Sequence, residues 1–389
     1  MSVYGIITEF NPFHSGHKYL FDTAGARGAD AIVCVMSGNA VQRGEVALVD
    51  KYKRAQMALS EGADLVLEMP YPYSAASAER FATAGVRIAS EFADTVFFGS
   101  ECGDIDLLTS AARITASEEF VNEYKSTLVD NSGTAGAYFE LLEKKTGHKY
   151  LSNDILGIEY IKAALRMGKE LSFATTARVG NDYASSELAD GSLQSASAIR
   201  KLVAKGKLDQ VSGYMPKACF DILAEAVKNR EITDISKLDS AIKLFFRMTS
   251  PEDICSSAEC DMGIASRLCN AAWECGDTPL LDAVRTKRYT DARLRRAMLF
   301  ALTGVKSEDV CAPIEYVNLL GANARGRELL AKHRKDGGLP ILAKATDVPN
   351  TRGALRQFEL SSKLDAVFSL ALVREKAPSE LLKTSPVII

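Results

Sequence analysis

The chain has 389 residues, 47% of them apolar and 25% charged, which is long enough for two domains with buried cores and too apolar for a disordered chain. Lys and Arg number 47 against 50 Asp and Glu, a net charge of −3, which excludes a general affinity for polyanions; a nucleic-acid partner would need a local basic patch.

The opening MSVYGII has no basic start and runs into polar TEFNPFH, too short for a signal peptide or a membrane span, so a cytoplasmic protein is expected. The first hundred residues then repeat one pattern. Apolar, β-branched runs begin at Val3 (VYGIIT), Asp30 (DAIVCVM), Ala63 (ADLVLEM) and Ala93 (ADTVFFG), with helical spacing between them at Asp50 (DKYKRAQMALSEG) and Ala78 (AERFATAGVRIASEF). Such alternation predicts a Rossmann-like α/β fold, with a parallel sheet covered on both faces. A helix is expected through DILGIEYIKAALRMG from Asp154, and a fifth strand at LSFATTA from Leu171. Beyond about residue 205 the texture turns helical, in ACFDILAEAVKN, KLDSAIKLFFRM and IASRLCNAAWEC. The polar, glycine-bearing AKGKLDQVSGYMP marks a boundary, giving a catalytic domain over 1–205 and a mostly helical domain over 206–389. The eight cysteines include no C-x-x-C pair. Cys255, Cys260, Cys269 and Cys275 are spaced unlike common zinc ligands, so free thiols and no protein-held metal are expected.

His14 and His17 are two of only four histidines, set as His-x-Gly-His directly after the first strand and before a helical pattern. Three uses compete: metal ligands, polar histidines at a helix start, or a grip on a phosphate. H-x-x-H lacks the glutamate and the four-residue spacing of zincins. The strand-to-helix context favours the phosphate, because open parallel sheets bind ligands at strand carboxyl ends, where the next helix offers unpaired N–H groups. Imidazole N–H donors there can stabilise charge on a phosphoryl group under attack, and Gly16 removes a side chain that would keep a ligand from the backbone.

Other polar segments fall where neighbouring strands should end. SGNAVQRGE follows the second strand and offers Arg43; GSECGDI follows the fourth and offers Gly99. Asn153 precedes a helical run, as either an N-cap or a ligand contact. ARVGNDY brings Arg178 and Val179 after the late strand, and SASAIRK brings small hydroxyls and Arg200 to a helix start. Lys51 and Arg54 read as a solvated helical face.

GIITEFNPFHSGH, VMSGNAVQRGE, GADLVLEMPYPYS, FFGSECGDI, SNDILGIEY, SASAIR, TKRYTDARLRR and LPILAK, in that order along most of the chain, closely resemble the tRNA(Met) cytidine acetate ligase family, within the HIGH-motif nucleotidyltransferases. The resemblance implies activation of acetate by ATP as acetyl-adenylate, then acetyl transfer to the wobble cytidine of elongator tRNA(Met). It implies an ATP-binding set of Ile7, Thr8, Glu9, Phe10, Asn11, Pro12, Phe13, His14, Ser15, Gly16, His17, Lys18, Tyr19, Leu20, Gly99, Asn153, Arg178, Val179 and Arg200. His14 and His17 are the implied catalytic pair, Gly16 packs near the adenine, Arg178 and Arg200 hold phosphates, and Mg²⁺ accompanies ATP. Ser100 and Glu101 stand as in the family. A lysine-rich KMSKS loop is missing, which disfavours amino-acid charging, and acetyl-CoA is not implied.

Two basic clusters in the second half are candidates for tRNA: Lys287, Arg288, Arg293, Arg295 and Arg296 with Tyr289 for stacking, and Arg325, Arg327, Lys332, Arg334 and Lys335. A salt-bridged helical surface is the competing reading of each. The histidine geometry alone would also serve adenylylation of a small phosphorylated metabolite, or a catalytically silent RNA-binding protein. The sequence carries no signal for an oligomeric state.

Overall fold

The computed structural model describes residues 1–130, 135–178 and 195–389. Five strands, β1 (Val3–Thr8), β2 (Ala31–Ser37), β3 (Leu65–Met69), β4 (Thr95–Ser100) and β5 (Ser172–Ala177), pair in parallel in the order β5-β4-β1-β2-β3. All five sit where the apolar runs predicted them. Crossover segments between them carry α1 (Ser15–Ala26), α2 (Lys51–Ser60), α3 (Ala78–Ala89), α4 (Ile105–Ala116), α5 (Glu118–Asp130), α6 (Ala135–Thr146) and α7 (Ser152–Met167).

Successive strand side chains alternate between two cores, which is why the runs look apolar throughout. On one face Val3, Ile7, Val33, Val35, Leu67, Val96 and Phe98 pack under α3, α4 and α7. On the other, Ile6, Cys34, Met36, Val66 and Phe97 meet Phe13, Phe21, Ala55 and Met57 around α1 and α2.

The rest of the chain is mostly helical: α8 (Ala196–Ala204), α9 (Lys217–Lys228), α10 (Asp239–Met248), α11 (Pro251–Cys255), α12 (Met262–Glu274), α13 (Leu280–Val284), α14 (Asp291–Thr303), α15 (Ala324–Asp336), α16 (Arg352–Ala371) and α17 (Pro378–Leu382). It also returns to the sheet, which the helical texture did not foretell. Strand β6 (Val317–Ala322) pairs antiparallel with β3, and β7 (Ile341–Leu342) and β8 (Val387–Ile388) pair parallel with β6. Among the described residues no helix is long and apolar enough to cross a membrane. All eight cysteines are free.

Candidate active site

Strand β1 lies between β4 and β2, so chain growth reverses direction beside it. Helix α1, leaving β1, packs Phe21 into one core, while α4, leaving β4, packs Leu108 and Ala111 into the other. Their divergence opens a crevice at the carboxyl ends of β1 and β4, the switch point where open α/β sheets take ligands. A cavity of about 330 Å³ lies there, walled by residues of both strand ends, by the first turns of α7 and α8, and by Gln42 and Arg43 from the loop after β2.

Both histidines line this cavity, and the helix start determines how they present themselves. His14 is the N-cap of α1, and its Nδ1 accepts the Gly16 N–H at 3.0 Å. His17, at the third helical position, accepts the His14 N–H on its own Nδ1 at 3.2 Å. The pair therefore forms a capping box built from two imidazoles. With both Nδ1 atoms accepting, each neutral ring carries its proton on Nε2, on the edge not tied to the helix. The rings lie 3.9 Å apart between centroids, and Phe10 meets His17 edge-on at 4.9 Å. Burial, with Arg178 and Arg200 nearby, pulls the His14 pKa down to about 3; burial, then His14 and Arg178, pulls His17 well below its ordinary value. The site thus holds two uncharged N–H donors at neutral pH.

The cap itself leaves little room for a side chain at Gly16. A Cβ there would stand 2.8 Å from His14 Cε1. Phe10, buried and at φ 43, holds the left-handed backbone that turns the chain from β1 toward His14, a conformation costly for an aromatic residue and maintained by its packing.

Cationic groups surround the donors. Arg43, Arg178 and Arg200 line the cavity. The Arg178 N–H donates to Ser100 O at 3.0 Å, and the missing Cβ of Gly99 leaves room for the arginine stem, which would otherwise come within 3.3 Å. Arg200 donates to Asn11 O at 2.8 Å and to Ser197 Oγ at 3.3 Å. Residues 195 to 197 at the start of α8 also line the cavity, adding a positive helix end. Glu9 is the acidic counterweight: burial raises its pKa, opposed by the Gln42 N–H and by Arg200 and Arg43.

Residues 1–381 match the model of the HIGH Nucleotidyl Transferase family. The chain is 38% identical over 373 residues to a tRNA(Met) cytidine acetate ligase of Acetivibrio thermocellus, covering 89% of each protein, and 36% identical to one of Listeria monocytogenes, covering 90% of this chain and 91% of that one. A crystal structure of Thermotoga maritima TmcAL bound with alpha-thio ATP superposes with a TM-score of 0.89 at 30% identity, and the apo form with 0.92, each over the whole of both chains. The chain belongs to the tRNA(Met) cytidine acetate ligase family.

In this ligase-family chain the cavity brings together Ile7, Thr8, Glu9, Phe10, Asn11, His14, His17, Leu20, Gly99, Asn153, Arg178 and Arg200 of the implied set. Pro12, Phe13, Ser15, Gly16, Lys18 and Tyr19 are not among its lining residues. Phe13 is fully buried in the core under α1, Tyr19 is exposed, and Lys18 pairs with Asp22 along the helix surface. Val179 lies outside the described residues. Asn153 is not an N-cap. It is the second residue of α7, and its amides donate to Glu101, from the backbone at 2.9 Å and from Nδ2 at 2.5 Å.

Lys51 and Arg54 are buried, which corrects the solvated reading. Arg54 donates to the carbonyls of Val49 (3.1 Å), Glu9 (2.7 Å), Ser37 (3.0 Å) and Gly38, stitching together the loops after β1 and β2 that hold the cavity wall. Lys51 donates to both oxygens of Glu68 at 3.0 and 2.9 Å. Sequence reasoning also missed Phe81, Ile155, Leu156 and Tyr160, the apolar side of the cavity, because their helical spacing reads as core.

The basic clusters separate in space. Within the first, Arg293 pairs with Asp261 (3.2 Å), Arg295 with Glu45 (3.1 Å) and Arg296 with Glu259 (2.6 Å), while Lys287 and Arg288 are exposed. Tyr289 is buried between Arg288 and Arg293, so it is not available for base stacking. The second cluster is on α15, which packs by Gly326 against Asp64, just before β3, and by His333 against Phe92 and Glu91, just before β4. That is the amino end of the parallel strands, opposite the cavity.

Proposed function

We propose that the protein is an ATP-dependent ligase that converts acetate and ATP to acetyl-adenylate and pyrophosphate, then transfers the acetyl group to the wobble cytidine of elongator tRNA(Met), giving N4-acetylcytidine and AMP. The observation that carries the reading is the pair of neutral Nε2–H donors beside three arginines at the end of β1.

An acetate oxygen attacks the α-phosphorus in line as the bond to the β-phosphate bridging oxygen breaks. Negative charge on the non-bridging oxygens is met by the Nε2–H groups of His14 and His17. Arg178, Arg200 and Arg43 hold the departing pyrophosphate, and Asn153 with Gly99 accommodates the nucleoside. The cytidine amine then attacks the acetyl carbonyl, AMP leaves, and the amine loses a proton. Neutral imidazoles suit the first step, since their N–H groups meet the charge that grows on the α-phosphate in the transition state. Mg²⁺ would enter with the triphosphate, whose oxygens are its usual partners. A tRNA substrate makes the cytoplasm the working compartment.

The test is exchange of labelled pyrophosphate into ATP with acetate as the acid, followed by acetyl transfer to elongator tRNA(Met). Exchange that needs acetate, with label then on the tRNA, supports the reading. Exchange driven instead by a phosphorylated metabolite would overturn it.

A further inference from the structure

The loop after β2 folds back on itself as a small hairpin. Ala40 and Val46 form its bridge, and the Gly44 N–H closes the turn on Val41 O at 2.8 Å. One side of the hairpin is cavity wall, through Gln42 and Arg43. The other side rests on α14: Gly44 has φ 75, and a Cβ there would lie 2.6 Å from Arg296 N. Between the two sides stands Glu45. One of its oxygens meets Arg200 at 3.3 Å, and the other meets Arg295 at 3.1 Å. All three side chains are about three-quarters buried or more.

The geometry points to Glu45 as a positioning residue that aims Arg200 at the ATP phosphates and is itself held in register by Arg295 of α14. This rests on the assignment of the cavity to ATP. A single carboxylate held at one oxygen by each of two guanidiniums restricts both, because fixing one oxygen orients the other. Arg200 reaches the cavity from α8, where Nη1 also donates to Asn11 O and Nη2 to Ser197 Oγ. Glu45 supplies the ionic partner that keeps its long stem from swinging out. Arg295 is not among the cavity-lining residues, and its side chain reaches toward the site through Glu45.

A double-mutant cycle read by calorimetric affinity for ATP and for adenosine, without acetate or tRNA, tests this. Glu45→Gln, matched in shape, weakens ATP binding about five- to tenfold and leaves adenosine binding unchanged, since only the phosphates face Arg200. Arg295→Ala produces a smaller loss of the same kind, and the double variant is no worse than Glu45→Gln alone. Equal losses for ATP and adenosine would reduce Glu45 to a structural role and overturn the proposal. Additive losses, or an Arg295→Ala protein with wild-type ATP affinity, would overturn it as well. ATP binding does not depend on which acid is activated, so a protein that passes this cycle but fails acetate-dependent exchange loses the ligase reading and keeps the coupling.

Discussion

Glu101 and Asn153 are locked together across the gap between β4 and α7, with the Asn153 N–H and Nδ2 both donating to the Glu101 carboxylate. This turns Nδ2 of Asn153 toward the protein and leaves Oδ1 as the acceptor for a ligand hydroxyl or amine. Asn153→Asp keeps that acceptor but sets a carboxylate against Glu101. The expected result is about a tenfold rise in KM for ATP, with a smaller change in kcat, measured by pyrophosphate exchange. An unchanged KM would remove Asn153 from the nucleotide site.

The imidazole pair predicts a signature in pH. His14 and His17 are held below their unfolded values, so the folded state resists a proton that the unfolded chain takes up. Above about pH 6.5 they add no pH dependence to stability; below it, stability is lost progressively toward pH 3. Nitrogen NMR of the side chains should show two Nε2–H tautomers that do not titrate between pH 5 and 8. Titration of either ring near 6.5 would refute the neutral-donor mechanism. His17→Ala is expected to abolish exchange while leaving tRNA affinity within about twofold.

Gly16→Ala tests the cap separately. The added methyl displaces the His14 ring, so exchange should fall by about two orders of magnitude. Thermal stability should fall by only about 1 kcal/mol, the usual cost of a lost N-cap. A fully active Gly16→Ala enzyme would show that the ring can move without consequence.

Lys51 and Glu68 form an ion pair with side chains under 10% exposed, and Asn318 Nδ2 also donates to Glu68 at 2.9 Å. Burial opposes the charge on Lys51, but attraction to Glu68, Asp365 and Tyr52 together with the hydrogen bond to Glu68 raises its pKa and keeps it charged. Lys51→Met strands a carboxylate beside buried Asp365, at a cost of about 3–5 kcal/mol. Denaturant unfolding should report that loss, while Lys51→Met/Glu68→Leu recovers much of it.

The arginines of α14 that are already paired are poor candidates for phosphate contacts, whereas exposed Lys287 and Arg288 are better ones. Lys287→Glu/Arg288→Glu should weaken tRNA binding and flatten its logarithmic salt dependence by about 1.5. Exchange without tRNA should be spared. The α15 cluster predicts no such effect, and a loss from Lys332→Glu/Lys335→Glu equal to that at 287 and 288 would contradict the placement.

The parallel half of the sheet was legible because β-branched runs at even spacing, bounded by turn residues, have few other uses, and the cavity followed from where those strands end. Strand β6 was not. VNLLGA stands outside the repeating strand-helix pattern and is recognisable as a strand only once the free edge of β3 is known. Arg54 was misread for a related reason: helical spacing showed its helix, but nothing local reveals that four carbonyls from two distant loops converge on its guanidinium. Gly16 carries a constraint that sequence spacing did not suggest, because it comes from the side chain of a neighbour two residues away.

Every cavity-lining residue named above lies at or before Arg200, yet the outer edge of β3 is covered by chain from beyond residue 316. A recombinant fragment ending near 205 would keep every lining residue of the cavity and still expose a bare row of strand amides and carbonyls. Such a piece would stick to copies of itself before it could turn over substrate. The far end of the polypeptide thus closes the open edge of the sheet that its beginning builds.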